Sequence, residues 1–111
     1  MNEKDGCAVL RRCFTEAGPA IEDACSLEPL GIPITLDGFD PSRRIGYEYI
    51  TTEAGDRAEV TPDILAALEE RMERGDLFVL LIDEAETTGE RTLVFAATHF
   101  LDALRARGVL S

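Results

Sequence analysis

One lysine, one histidine and no tryptophan occur in 111 residues, and 11 basic side chains face 22 acidic ones. Each shortage excludes something. Lys4 is the sole lysine and lies outside any glycine-rich loop, so the phosphate cradle of P-loop nucleotide hydrolases cannot be built. His99 is the sole histidine, and no serine or cysteine is set beside it as a nucleophile. Cys7, Cys13 and Cys25 are odd in number, spaced C-x5-C-x11-C, and match no common zinc pattern; they read as structural thiols. No apolar run approaches the roughly 18 residues of a membrane span, and the first residues lack a cationic start followed by an apolar stretch. A cytoplasmic location without membrane contact is therefore expected.

The formal net charge is -11, and it is concentrated: residues 53–90 hold 12 acids and 3 bases. Such a surface repels polyphosphate, which disfavours nucleic acid; a basic protein partner, or none, fits better. The length suits one domain over residues 1–111 with one modest core.

Hydrophobic periodicity divides the chain into helices and strands. Val9, Leu10, Cys13, Phe14 and Ala17 fall on one helical stripe, stopped by Gly18-Pro19. Residues 19–31 read as a connector with a short helical turn over 21–25, laying Ile21, Leu27 and Leu30 on a sheet. Residues 51–60 are polar and read as an exposed loop. Thr61 as N-cap, Pro62 at the first helical position and Gly75 as a stop frame a second helix. Its predicted buried stripe is Ile64, Leu65, Leu68 and Met72, with Glu69, Glu70 and Glu73 on the solvated side and Glu70 spaced to pair with Arg74. The continuous apolar run over 77–82 predicts a strand covered on both faces and central in its sheet. Over residues 91–107, Leu93, Ala97, Phe100, Leu101 and Leu104 share a helical face. Thr87 and Glu90 have capping-box spacing in front of it, and His99 lies off the stripe. A strand over 91–96 with a shorter helix behind it is the alternative.

Residues 32–50 carry the most specific local signal. Ile34, Leu36, Ile45, Tyr47 and Tyr49 alternate, and Asp40-Pro41-Ser42-Arg43 is a turn, with Pro41 fixing φ and Asp40 accepting from the backbone two residues on. A four-residue loop over 41–44 gives cross-strand partners whose numbers sum to 85, setting Asp37 against Glu48. Ile34, Leu36, Gly38, Ile45, Tyr47 and Tyr49 then share one face; Thr35, Asp37, Phe39, Gly46, Glu48 and Ile50 share the other. Like charges about 5 Å apart destabilise a sheet. Water on that face with Arg43 or Arg44 near, a shared proton, or a divalent cation would each relieve them, and the last makes Asp37 and Glu48 candidate metal ligands.

The run LFVLLIDE ends in acids as the metal-binding strand of P-loop enzymes does, but its partner loop is missing; Asp83, Glu84 and Glu86 remain a carboxylate cluster at the carboxyl end of a strand. The stretch L-D-G-F-D-P followed by G-Y-E-Y, within the order helix, hairpin, helix, strand, helix over residues 5–84, resembles the PD-(D/E)XK nuclease superfamily. The resemblance implies that Asp37 and Glu48 match that family's two Mg²⁺- or Mn²⁺-binding acids. It also places Ile50 where the family has the lysine that orients the attacking water.

The expected architecture is a single α/β domain with a small mixed sheet, the hairpin plus a central strand, covered by three helices. The expected function is a non-catalytic interaction or regulatory module without cofactor, with no catalytic residue assigned and an exposed hairpin edge that could pair two copies of the chain. The alternative is a divalent-metal-dependent nuclease or phosphodiesterase of PD-(D/E)XK-like fold, degenerate at Ile50.

Overall fold

The computed structural model describes residues 2–52, 55–87 and 89–111. Its elements run α1 (Glu3–Glu16), β1 (Glu22–Ser26), β2 (Thr35–Asp40), β3 (Ile45–Ile50), a single turn α2 (Asp56–Glu59), α3 (Pro62–Glu73), β4 (Phe78–Asp83) and α4 (Glu90–Ala106). One mixed sheet has the order β1-β2-β3-β4, antiparallel across the first two pairings and parallel between β3 and β4. The fold is thus an α/β sheet with helices on both faces. No helix among the described residues is long and apolar enough to cross a membrane.

The hairpin register is the one that the turn chemistry predicts: Gly38 faces Tyr47, Phe39 faces Gly46 and Asp40 faces Ile45. Asp40 Oδ1 accepts from the N–H groups of Ser42 and Arg43 at 2.9 and 3.1 Å, and its Oδ2 accepts from Ala20 at 2.8 Å. One buried carboxylate therefore closes the turn and ties it to the chain leaving α1. Burial alone would raise the Asp40 pKa, but the three N–H donors and nearby Arg43 bring it below the ordinary 3.8. A lowered folded-state pKa contributes stability that is present above the ordinary value and is lost as pH falls through the folded one. Asp40→Asn is accordingly expected to cost about 2 kcal/mol at neutral pH. Its denaturant midpoint should then change less than the wild type's on acidification below the carboxylate range; parallel curves would contradict this.

Two clusters hold the layers. Val9, Leu10 and Phe14 of α1 meet Leu93, Ala97, Leu101 and Leu104 of α4 over Ile45, Tyr47, Tyr49, Phe78 and Ile82. On the opposite face Leu68 of α3, with Ile64, Ala67 and Met72 against it, covers Leu36, Phe39, Leu77 and Val79, while Leu27, Ile32 and Ile34 fill the side near β1. Gly6 lets α1 settle on the sheet, since a Cβ there would stand 2.4 Å from the Tyr49 ring. At the far end of α3, Asp76 joins Arg44 at 2.6 Å and Arg71 Nε, and Arg71 also reaches the Leu30 carbonyl at 2.6 Å. These bonds tie the hairpin exit, the helix end and the loop after β1 together, and the Arg71 hydrogen bond holds the Asp76 pKa below its ordinary value.

Several expectations need correction. The connector over 19–31 contains an edge strand, β1, in place of the helical turn over 21–25; its pattern is almost wholly exposed, so no apolar alternation marks it. The strand at 78–83 is also an edge, paired only with β3, though both its faces are covered. Burial on two faces does not specify neighbours on two sides. Leu65 is exposed, not part of the buried stripe. Helix α4 is one helix and not a strand with a shorter helix behind it, but its N-cap is Gly89 in place of Thr87, whose hydroxyl turns to the Asp83 carbonyl at 3.3 Å. In the predicted exposed loop, Thr51 is buried and residues 56–59 form a helical turn; Glu53 and Ala54 lie outside the described residues, as does Thr88 of the alternative strand reading.

Candidate functional site

At Asp37 the sheet opens. The β2–β3 ladder ends at Gly38 and Tyr47, and on the other side β1 pairs through Asp23 and Cys25 but not through Ala24, which has φ 48°. Leu36 and Phe39, three apart, both pack on the α3 side, whereas strict alternation would separate them. The predicted face that grouped Ile34 and Leu36 with Ile45, Tyr47 and Tyr49 is therefore overturned: the strand shifts its pleat at Asp37.

The two carboxylates fill the opening. Asp37 N–H donates to Glu48 Oε1 at 2.9 Å, and Tyr49 N–H donates to Asp37 Oδ2 at 2.8 Å. Each acid supplies an acceptor to the backbone of the opposite strand where the regular ladder has lapsed, which removes the penalty of unpaired amides in a sheet. Glu48 is 1% exposed and Asp37 half-buried, so they are not two solvated acids on a wet face. Neither expected arginine is the source of relief: Arg44 pairs with Asp76, and the Arg43 guanidinium lies against Gly18.

Asp37 also faces α1. Its carboxylate, the Glu3 carboxylate and the Cys7 sulfur lie within 4.8 Å of one another, all half-buried. They stand in an open groove of about 500 Å³ whose other walls include Lys4, Arg11 and Asp23. Burial first, then the negative charges of Asp37 and Glu3 and a hydrogen bond to Asp37, push the Cys7 thiol far above its ordinary 9.0, so it stays protonated. No sequence motif marks Glu3 or Cys7. Their i,i+4 spacing places both on one side of the first turn of α1, but only the packing of α1 on β2 brings them to Asp37. For a divalent cation, this trio is a better set than Asp37 with Glu48, whose facing oxygens already hold backbone amides. A protonated thiol is a poor ligand for hard Mg²⁺ or Mn²⁺, which leaves two carboxylates for such an ion.

A second groove, of about 390 Å³, lies at the carboxyl ends of β3 and β4. Ile50, Val60, Leu65 and Leu81 line it together with Asp83 and Glu86. Ile50, the position where the nuclease resemblance expects lysine, is thus part of an apolar wall. His99 is exposed on α4 and stacked on exposed Phe95, ring centroids 6.3 Å apart, away from both grooves' linings. The three cysteines are free. In comparisons with family models, curated proteins and solved structures, the chain matches none.

Proposed function

We propose that the chain is a non-catalytic interaction or regulatory module that receives a basic protein partner. The observation that carries this reading is the solvent face of α3: Glu69, Glu70 and Glu73 are all exposed, and among the ion pairs found they share only a 3.9 Å approach of Arg74 to Glu70. Weakly neutralised carboxylates on a rigid helix steer a cationic surface and set its orientation more than they add to affinity. The use of Asp37 and Glu48 as backbone acceptors, and the apolar Ile50, support the non-catalytic half of the reading. A fluorescent arginine-rich peptide should bind in a salt-sensitive way, and Glu69→Lys with Glu70→Lys and Glu73→Lys should abolish that binding. Binding indifferent to those reversals would refute the reading.

A second reading, a divalent-metal-dependent phosphodiesterase resembling the PD-(D/E)XK superfamily, is favoured by the Glu3, Cys7 and Asp37 cluster beside Lys4 and Arg11. Glu3 and Asp37 would hold the cation, which supplies Lewis-acid polarisation of a phosphoryl oxygen. Ligand binding at a hundredfold excess over Kd stabilises a fold by about 2.7 kcal/mol. The binding-module reading expects identical melting with and without millimolar Mg²⁺ or Mn²⁺. An upward shift that Asp37→Asn removes would favour the enzyme.

A further inference from the structure

The groove at the carboxyl ends of β3 and β4 combines an apolar lining with nearby carboxylates. Its lining is apolar, with Ile50, Val60 and Leu81 half-buried and Leu65 at 37% exposure, one of two large hydrophobic side chains exposed among the described residues. Two acids, Asp83 and Glu86, stand among its lining; Asp83 Oδ1 already accepts the Ala85 N–H at 2.9 Å and Glu86 is exposed, while Glu69 follows Leu65 by one turn of α3 outside the lining. An exposed leucine is commonplace singly; a leucine at the edge of an apolar groove, framed by carboxylates, offers a cationic side chain both halves of what it needs. An arginine or lysine lays its methylene stem along apolar surface while its charged head reaches acceptors at the edge. A guanidinium can also pair with a carboxylate through two hydrogen bonds.

We propose that this groove is the specificity pocket of the partner surface: it receives an arginine together with a neighbouring aliphatic side chain from an amphipathic basic segment of a partner protein. The inference rests on the binding-module reading and narrows it from a basic surface to a segment carrying both charge and apolar contact. The acids of α3 attract the segment, and the Leu65 groove selects it. Polyphosphate is disfavoured by the carboxylates, and a purely apolar ligand would cover the exposed Glu86 carboxylate without offering it a donor.

The test uses the full chain and two labelled peptides, one of leucine and arginine in amphipathic spacing and one of arginine and glycine with the same charge. The leucine-containing peptide should bind at least about tenfold more tightly, the worth of one buried aliphatic contact. Leu65→Gln, at a site 37% exposed, should erase that difference while the chain stays folded, with a melting temperature lowered by no more than a few degrees. Glu86→Gln should weaken both peptides, and amide shifts on titration should centre on residues 65 and 81–86. Equal affinity for the two peptides, or an unchanged preference in Leu65→Gln, overturns the groove assignment while leaving the acidic-surface reading in place. Failure of both peptides to bind overturns the two together.

Discussion

Glu48→Ala is expected to lower stability by about 2–3 kcal/mol, because the Asp37 N–H then faces a buried space with no acceptor. The accompanying fall in melting temperature is roughly 10 °C for a chain of this size. Glu48→Gln keeps an acceptor and nearly the same volume, and should recover at least half of the loss. The measurement is a denaturant titration run with chelator present throughout. A loss that appears without any metal, and is partly restored by the amide, marks the carboxylate as a structural acceptor. An alanine variant as stable as the wild type would mean that this bond does not hold β2 to β3.

Gly46→Ala should cost about 3 kcal/mol, at the upper end for an overpacked core, although it adds a single methyl group. A Cβ at this position would stand 2.3 Å from the Gly38 carbonyl oxygen and 2.8 Å from the Phe39 Cα. Those are backbone atoms of the paired strand, so no rotamer change relieves the clash; the hairpin itself must spread. At Gly38, by contrast, the neighbour is the Tyr47 ring at 2.3 Å, which would have to leave its buried place against Phe14. Thermal melts of the two alanine variants read the effect, and a Gly46→Ala melt within a few degrees of wild type would show that the strands separate without cost.

Local chemistry made the hairpin readable. Asp40, Pro41 and the alternation of Ile45, Tyr47 and Tyr49 act within a few residues of one another, so the sum-of-85 register follows from the chain itself. That register brings Asp37 and Glu48 to the same end of the hairpin, just past the last paired residues, Gly38 and Tyr47, where they meet through a side-chain bond in place of a ladder pair. What escaped was set by tertiary packing. β1 exposes nearly every residue and carries no periodic signature. The lapse at Asp37 and Ala24, which sends Leu36 and Phe39 to the same side, depends on carboxylates replacing ladder bonds. Glu3 and Cys7 meet Asp37 only through the packing of α1 on β2, which no local pattern encodes. Leu65 fits the periodicity of a buried stripe, yet α3 turns Leu68 inward and leaves Leu65 at the groove edge.

The parallel pairing of β3 with β4 bears on how the chain assembles. The antiparallel hairpin closes across residues 41–44, whereas β4 reaches β3 only after residues 51–77 have crossed over the sheet. Closure entropy grows with the length of chain to be gathered, and non-local contacts are rewarded late. The β4 ladder, and with it the groove lined by Ile50, Leu65 and Leu81, is therefore expected to complete after the hairpin. A nascent chain would be expected to hold its turn before that groove exists.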